Sequence, residues 1–140
     1  MERTLAIIKP DAVAAGHAGK IIDRIISEGF AIRAVKLVRL TRREAEGFYA
    51  VHRERPFFGE LTEFMSSAPC IPLVLERADA VAKWREVIGA TNPADAAEGT
   101  IRQQFATSMG ENAVHGSDSP ENGMIESSYF FPEHMIVANG

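Results

Sequence analysis

The apolar positions along the chain form short runs and helical faces that predict alternating strands and helices. Residues 3–9, RTLAIIK, are a short apolar run that stops at Pro10, which predicts a buried strand with Lys9 at its end. Residues 19–29 predict an amphipathic helix that ends at Gly29. Its apolar face is made of Ile21, Ile22, Ile25 and Ile26.

The next stretch, residues 30–40, is ambiguous, because its apolar positions alternate as in a strand while its cations recur every third residue as on a helix. A strand is favoured, since the stretch lies between a glycine stop and a helix start. Thr41 and Glu44 then form a capping-box pattern that predicts a helix through about His52. Its inward side chains are Ala45, Phe48 and Tyr49.

The middle of the chain continues the predicted alternation of strands and helices. Residues 55–67 predict a turn and a short helix, and residues 70–77 a second buried strand, in which Pro72 is tolerated only near the start or at an unpaired position. Asp79 is predicted to cap a following helix whose inward side chains are Val81, Trp84 and Ile88.

From Gly89 to Gly123 large apolar residues become sparse, which is typical of a long functional loop. A short strand is predicted around residues 113–115, and Ser119 caps a helix over residues 119–131. Strands separated by helices in two β-α-β halves predict an α+β sandwich with a four-stranded antiparallel sheet covered by helices. We expect residues 1–140 to form a single domain, with an added helical hairpin and a long loop.

Composition narrows the class of protein. With 140 residues, 46% of them hydrophobic and 24% charged, the chain can bury a sizeable core. A single cysteine, Cys70, cannot form an internal disulfide, and neither a leader nor an apolar run of about 18 residues is present, so we expect a cytoplasmic protein. The net charge of −4 argues against non-specific binding to nucleic acid or anionic membranes.

The common nucleotide, metal and redox motifs are absent: the sequence has no G-x-x-x-x-G-K-[ST], G-x-G-x-x-G, H-E-x-x-H or C-x-x-C. What remains is a set of cations, histidines and hydroxyls near predicted turns, which suits a phosphate ligand held by individual side chains. Its members are Lys9, His52, Arg53, Arg55, Arg85, Thr91, Arg102, Asn112, His115, Ser117 and Asp118.

Most of these residues also have an ordinary structural interpretation. Arg53 and Arg55 are typical of solvated surface charge, and His52 is favoured at a helix end by the helix dipole alone. Arg85 would lie over Trp84, and Arg102 would cap backbone carbonyls. His17 and His134 have no company that suggests chemistry.

His115 is the most ambiguous of the set. It lies in NAVHGSDS, residues 112–119, where Gly116 and the following turn formers predict a bend. A neutral imidazole is both a nucleophile and a proton shuttle near pH 7, and Glu126 could orient it. From the residues alone, a structural turn histidine is slightly favoured over a catalytic one.

Five segments of the chain together resemble the nucleoside diphosphate kinase family. They are IIKPDAV, EGFYAVHRERPFFGEL, GATNP, GTIRQQFA and, most specifically, NAVHGSDSPEN, and the resemblance runs from about Arg3 to Phe131. It implies a ferredoxin-like sandwich. It also implies that His115 takes the γ-phosphoryl group of a nucleoside triphosphate and passes it to a nucleoside diphosphate, a ping-pong cycle through phosphohistidine that maintains nucleoside triphosphate pools.

The resemblance also implies roles for the surrounding residues. Arg85, Thr91, Arg102 and His52 match phosphate contacts, and Lys9 and Asn112 match contacts to the ribose, with Lys9 also near the transferred phosphate. Tyr49 matches a tyrosine close to the histidine, and Ser117 and Glu126 match its hydrogen-bonding partners. Mg²⁺ is expected to arrive with the nucleotide beside Asp118.

The base is expected to stack on Phe57, with Leu61 nearby and Met109 opposite, which implies broad base tolerance. Met109, Ala12 and Pro72 depart from the residues usual in the family, and the tail PEHMIVANG diverges most. A homo-oligomer built from dimers, either a tetramer or a hexamer, is expected, with no nucleic acid or membrane partner.

Three alternatives remain open from the sequence. A non-catalytic regulatory or RNA-binding module of the same fold would need exposed aromatic residues on its central strands, and TLAIIK and IPLVLE contain none. An inactive kinase would be expected to have lost matched positions. A hydrolase that uses His115 as a general base would differ in its product, because water would take the phosphate.

Overall fold

A computed structural model describes residues 1–137 of the chain. Four strands form one sheet in the order β2-β3-β1-β4, and all neighbouring strands are antiparallel. This arrangement confirms the predicted ferredoxin-like α+β sandwich. The strands are β1 (Glu2–Ile8), β2 (Ala31–Val35), β3 (Ile71–Arg77) and β4 (Val114–Gly116).

In the described part of the chain, seven α-helices connect and cover the strands. They are α1 (Pro10–Ala14), α2 (Ala18–Ser27), α3 (Arg42–Phe48), α4 (Phe58–Met65), α5 (Ala80–Ile88), α6 (Ile101–Phe105) and α7 (Pro120–Phe130). Short 3-10 helices lie at Ala50–His52, Pro93–Asp95 and Glu133–Met135. Within residues 1–137, every helix is too short or too polar to cross a bilayer.

The sheet separates two apolar layers, which explains why β1 is apolar at each of its last four positions, Leu5 to Ile8. Leu5 and Ile7 point into one layer, while Ala6 and Ile8 point into the other. The first layer also contains side chains of α3, α4 and α7, and the second contains those of α2 and α5, including Trp84. Because both faces are covered, a strand in the middle of this sheet has no polar side.

The capping predictions can be compared with the structure at the starts of three helices, α3, α5 and α7. Thr41 and Glu44 form the predicted capping box, and the Ser119 hydroxyl accepts from the backbone N–H of Asn122 as expected. The prediction for Asp79 is wrong: its backbone is left-handed, with φ of 52°, and its side chain makes no capping bond. Instead, the Glu2 carboxylate accepts from the backbone N–H of Val81 at 2.8 Å, so β1 caps α5 from outside the helix.

Several elements differ from the pattern-based expectation. The sequence did not predict α1 or α6, each five residues long, because so short a helix shows little apolar periodicity. The strand expected over residues 30–40 ends at Val35 after a bulge between Ile32 and Ala34. In α2, Ile26 is exposed although the apolar pattern placed it on the buried face.

Pro72 and Gly123, which weaken regular secondary structure, lie where the fold accommodates them. Pro72 is the second residue of β3, near the strand start where it was predicted to be tolerated. Gly123 lies where α7 crosses β1, and a Cβ there would be 2.4 Å from the Arg3 carbonyl oxygen. The glycine that lowers helix propensity therefore allows α7 to pack on the sheet.

Candidate active site

Strand β4 positions His115. It pairs with β1, and His115 lies opposite Ile7. The side chains of a strand alternate between its two faces, so Val114 enters the apolar layer beneath α5 while His115 points to the α7 side. The short strand predicted around residues 113–115 is therefore confirmed as β4, and the bend predicted at His115 is wrong, because this histidine lies within that edge strand.

Gly116 serves a different purpose from the one predicted. A Cβ at this position would be 2.7 Å from Cδ1 of Trp84, so glycine is required for close packing rather than for a turn. The Trp84 indole also donates to the carbonyl of His115 at 3.0 Å. The left-handed residue is instead Ala113, with φ of 72°, a conformation that costs about 1–3 kcal/mol in a residue with a Cβ.

A carboxylate and a hydroxyl orient the imidazole. Nε2 of His115 lies 2.8 Å from Oε1 of Glu126, and the Ser117 hydroxyl donates to the same oxygen at 2.8 Å. Ser117 in turn accepts from the backbone N–H of Leu5, which ties this group to β1. Since an ionised carboxylate only accepts, Nε2 carries the proton and the lone pair of a neutral imidazole is on Nδ1.

The surroundings of His115 keep it neutral. Burial lowers the pKa of the imidazole, and the nearby cations Lys9 and Arg102 lower it further. The hydrogen bond and charge of Glu126 act in the opposite direction without restoring the usual pKa. Near pH 7 the side chain is therefore an oriented neutral base with an available nitrogen lone pair.

Aromatic rings enclose the imidazole. Phe48 meets His115 edge to face at 5.3 Å between ring centroids, and the Tyr49 ring lies 6.4 Å away. Burial raises the pKa of Tyr49, and its hydroxyl is buried with no hydrogen-bond partner in residues 1–137. His52 contacts both the Tyr49 ring and the Phe57 ring, so these aromatic groups form a continuous wall.

Lys9 and Asn112 form a second part of the site. The Lys9 ammonium donates to Oδ1 of Asn112 at 2.8 Å, and the Asn112 amide donates to the carbonyl of Thr91 at 3.1 Å. Burial and the charge of Arg102 lower the pKa of Lys9 to about 8. The amine is thus placed beside His115 in a state that a bound anion would stabilise as the cation.

Arg102 braces the segment around His115. Its guanidinium donates to three carbonyls, those of Gly89, Asn112 and Val114, at 2.9, 3.3 and 2.9 Å. The carbonyl-capping interpretation is therefore confirmed. A guanidinium has five N–H groups, so these three bonds leave two of them unused. Burial and the charge of Arg85 lower the pKa of Arg102 to about 10.

A groove of about 400 Å³ lies beside these groups, and its lining includes Arg85, Thr91 and Arg102. Asp118 accepts from the Asn122 amide, and this bond, aided by the charge of Arg85, lowers the pKa of the carboxyl. Within residues 1–137 no cluster of three or more histidines, cysteines or carboxylates could hold a metal ion. Asp118 therefore belongs to no such cluster of metal ligands, although the charge of Arg85 reaches its carboxyl group.

The remaining residues that were predicted to belong to the site have fewer contacts with the groups around His115. Phe57 and Met109 are exposed, at 48% and 59%, and Leu61 packs partly against the apolar layer of α3, α4 and α7. No hydrogen bond links Met109 to the site in the described part of the chain. Arg53 and Arg55 are exposed, as the ordinary interpretation predicted.

Sequence reasoning missed three residues that contact the site. Phe48 was expected to be buried, but nothing in its spacing indicated contact with His115. Trp84 was assigned only to the core. Asp11, whose carboxylate accepts from the backbone N–H of Ala113 at 3.0 Å, follows a proline at the first position of a helix, a pattern that could have revealed α1.

Comparisons with known proteins agree with this geometry. The family model described as nucleoside diphosphate kinase matches residues 2–136. A nucleoside diphosphate kinase of Salinibacter ruber is 59% identical over 138 residues, which are 99% of this chain and 97% of that protein. One from Desulfotalea psychrophila is 60% identical over 131 residues, covering 94% and 96% of the two chains.

Solved structures extend the likeness to the fold. The nucleoside diphosphate kinase of Aquifex aeolicus superposes with a TM-score of 0.96 at 52% identity, covering 97% of this chain and 99% of that one. A halophilic one from Halobacterium salinarum, in complex with CDP, gives 0.95 at 36% identity, with 99% and 93% covered. The chain therefore belongs to the nucleoside diphosphate kinase family and is an enzyme that transfers phosphoryl groups between nucleotides.

Proposed function

We propose that His115 is the nucleophile of a ping-pong phosphotransfer between nucleoside triphosphates and diphosphates. The observation that carries this proposal is the bond between Nε2 of His115 and Glu126, with Ser117 on the same carboxylate oxygen. It fixes the tautomer in which Nδ1 has the lone pair. A histidine that served only to pack in the strand would not need two polar groups to orient it.

In the first half-reaction, the Nδ1 lone pair attacks the γ-phosphorus while the bond from that phosphorus to the bridging oxygen breaks. The nucleoside diphosphate leaves with the electron pair, and the imidazole, now bonded to phosphorus, is positively charged. Glu126 stabilises that charge because its carboxylate already holds the Nε2 proton. A second diphosphate reverses these steps and regenerates neutral His115.

We assign the remaining stabilisation of the transition state to the cationic side chains near His115. Phosphoryl transfer depends mainly on alignment and on neutralising oxygens, which Lys9, Arg85 and the two free N–H groups of Arg102 can provide. We assign Thr91 and His52 to phosphate contacts and Asn112 to the ribose. Tyr49 forms the wall beside the imidazole.

For the base, we propose stacking on Phe57 with Leu61 and Met109 nearby. Support comes from the exposure of Phe57 and Met109, which leaves both accessible to a flat ligand. Stacking accepts any base, so the proposal includes broad nucleotide use.

We propose that Mg²⁺ arrives with the nucleotide rather than residing in the protein. Asp118 has a lowered pKa and, within residues 1–137, belongs to no group of three or more metal ligands, which suits a magnesium ion held mainly by phosphates and water. When bound, the ion would neutralise charge on the phosphate oxygens. Chelation by EDTA should therefore abolish phosphotransfer but leave the melting temperature of the nucleotide-free enzyme unchanged; a large fall in that temperature would contradict the proposal.

We further propose that residues 1–140 act as a single domain, that the enzyme works in the cytoplasm, and that its chains pair into dimers that assemble into a tetramer or a hexamer. Support for assembly comes from the edge strand β2, where Val35 and, just beyond it, Leu37 are exposed. Sedimentation equilibrium would give the mass of the assembly, and a monomer at all accessible concentrations would contradict the proposal.

The nucleophile can be tested with ATP labelled in its γ-phosphate. We expect label on the enzyme that is acid-labile and base-stable and that any nucleoside diphosphate removes as a new triphosphate. His115→Ala should take up none, whereas the exposed control His134→Ala should behave as the unaltered enzyme. Label retained by His115→Ala would contradict the assignment, and release of inorganic phosphate would favour the hydrolase alternative.

A further inference from the structure

The turn that leads into β4 holds a strained residue next to the proposed nucleophile. Ala113 is fully buried and has φ of 72°, and the N–H of Val114 donates to the carbonyl of Asn112 at 2.8 Å. This bond closes a three-residue γ-turn of the rare kind with positive φ. A residue with a Cβ keeps such a conformation only when its surroundings hold it there.

Two residues hold the two peptide groups of Ala113. Its N–H donates to Oδ2 of Asp11 at 3.0 Å, and its carbonyl accepts from the backbone N–H of Lys9 at 2.8 Å. The second contact continues the pairing of β1 with β4 and requires no particular side chain. Asp11 is different, because its contact depends on a side-chain oxygen and is lost when the carboxylate is removed.

The turn connects the two halves of the site. On one side, the Asn112 side chain is held by Lys9 and by the carbonyl of Thr91. On the other side, His115 begins its contacts with α7 two residues beyond Ala113. A change of backbone angle at Ala113 would therefore move the imidazole relative to the groups that hold the nucleotide.

Besides its bond to Ala113, the Asp11 carboxylate has a charge that raises the pKa of Lys9 and so partly offsets the lowering by burial and Arg102. Asp11→Asn and Asp11→Ala both remove that charge, so the difference between the two variants reports the hydrogen bond alone. The second carboxylate oxygen of Asp11, Oδ1, is buried and lacks a hydrogen-bond partner in residues 1–137, and no ion pair involves this residue there. A carboxylate in the first turn of α1 also interacts favourably with the helix dipole, but that interaction does not require Oδ2 to meet Ala113.

We propose that Asp11 is a positioning residue for phosphotransfer: its carboxylate holds Ala113 in the positive-φ γ-turn and thereby keeps His115 aligned with the bound phosphate. The inference rests on the proposed role of His115 as nucleophile. Asp11 does not touch the reacting atoms itself.

The test compares Asp11→Ala, which removes the acceptor, with Asp11→Asn, which keeps an oxygen acceptor. At a temperature where circular dichroism shows both variants folded, we expect kcat of Asp11→Ala to fall about 10- to 100-fold, because a misplacement of 1 Å can cost this much. The KM for nucleotides should change less, since Lys9 and Asn112 keep their own contacts. Asp11→Asn should stay within about threefold of the unaltered enzyme, because its amide oxygen can accept the same hydrogen bond.

Relieving the strain provides an independent measurement. Glycine adopts positive φ readily, so Ala113→Gly should make the turn less dependent on Asp11. The loss caused by Asp11→Ala should then be at least about threefold smaller when residue 113 is glycine. If Asp11→Ala alone does not fold, kcat of the double variant is compared with that of Ala113→Gly, because strain relief also favours folding of the double variant. The loss should then be smaller than the roughly 10-fold expected in the alanine background.

The kinetic results distinguish a positioning role of Asp11 from a purely structural one. A kcat of Asp11→Ala within twofold of the unaltered enzyme, with only a lower melting temperature, would overturn the inference and leave Asp11 with a purely structural role. Equal losses in Asp11→Asn and Asp11→Ala would also overturn it, as would an undiminished loss in the Ala113→Gly background. Failure of the nucleophile assignment is recognised separately, by phosphate found on a residue other than His115 in the unaltered enzyme.

Discussion

The two nitrogens of His115 face different partners, and this difference determines what the residue can do. Nε2 is held by Glu126, whereas Nδ1 has the lone pair. Burial and two cations favour the neutral ring, while Glu126 partly opposes them. The carboxylate thus orients the ring and offsets the positive charge that develops when Nδ1 bonds to phosphorus.

Replacing Glu126 by glutamine tests this double role. We expect kcat to fall about 10- to 100-fold, by analogy with the loss of a carboxylate that orients a metal-bound histidine. Because Glu126 raises the pKa of His115, its loss should also move the acid decline of kcat/KM to lower pH. A variant with unchanged kcat, or with the acid decline moved to higher pH, would contradict the assignment.

Lys9 should set the alkaline limit of activity. Its pKa is lowered to about 8, first by burial and then by Arg102, so the ammonium loses its proton as pH rises through this value. If the cation meets the transferred phosphate, kcat/KM, which reports the free enzyme, should decline above about pH 8.

The matched variant is Lys9→Arg, because a guanidinium keeps its charge throughout this range. In it, the decline should move to higher pH even if the maximum rate is lower. A decline at the same pH in both proteins would show that another group is responsible.

At the scale of elements, β4 is three residues long and depends on its neighbours for position. It pairs with β1, receives the Trp84 indole at the His115 carbonyl and is braced by Arg102 at the Val114 carbonyl. The close approach of Trp84 is possible only because residue 116 has no Cβ.

Gly116→Ala should therefore displace β4 from α5. We expect a loss of about 1–3 kcal/mol in the free energy of unfolding, as for other overpacked core positions. The control is Gly19→Ala in α2, where a Cβ meets nothing within 4 Å and helix propensity should add about 0.5–1 kcal/mol. Denaturant unfolding of both variants measures the difference; equal stabilities would show that Trp84 yields without cost.

The start of α5 offers a second test at this scale. Glu2→Ala should lose about 1 kcal/mol of stability, the usual value of a capping acceptor, and Glu2→Gln should lose less because it keeps an oxygen. Asp79→Gly should be neutral or stabilising, since Asp79 has positive φ and its side chain does not cap. A large loss in Asp79→Gly with none in Glu2→Ala would favour the original capping prediction.

These elements also show which features of the fold could be predicted from the sequence. Long periodic helices, buried strands and the Thr41 capping box were found because local pattern determines them. Helices α1 and α6 were missed because five residues carry too little periodicity, and Asp79 misled because its cap comes from Glu2, which is distant in sequence. Likewise, the family resemblance named the residues around His115, but only the fold brings Asp11 and Phe48 to it.

At the scale of the whole molecule, the two edges of the sheet differ. The edge strand β4 carries His115, whereas the opposite edge strand, β2, has Val35 exposed at 52%, and Leu37 beyond it is exposed at 65%. An assembly formed through the β2 edge would cover these apolar side chains and leave the site open.

Two charges at the β2 edge should therefore weaken assembly. We expect the double variant Val35→Lys, Leu37→Lys to sediment at a lower mass than the unaltered enzyme, because lysine resists burial and edge pairing. Met124→Lys, at an exposed apolar position of α7, is the control and should leave the mass unchanged. If the double variant keeps the full mass, the contact lies elsewhere.

The central claim is that the phosphate passes through His115. Its most direct test is mass spectrometry of the enzyme after mixing with a nucleoside triphosphate and removing the free nucleotide. The account predicts one phosphate on each chain, located on His115, absent from His115→Ala and lost when a nucleoside diphosphate is added. Phosphate on Ser117 or another residue, or full turnover with no phosphorylated enzyme, would contradict it.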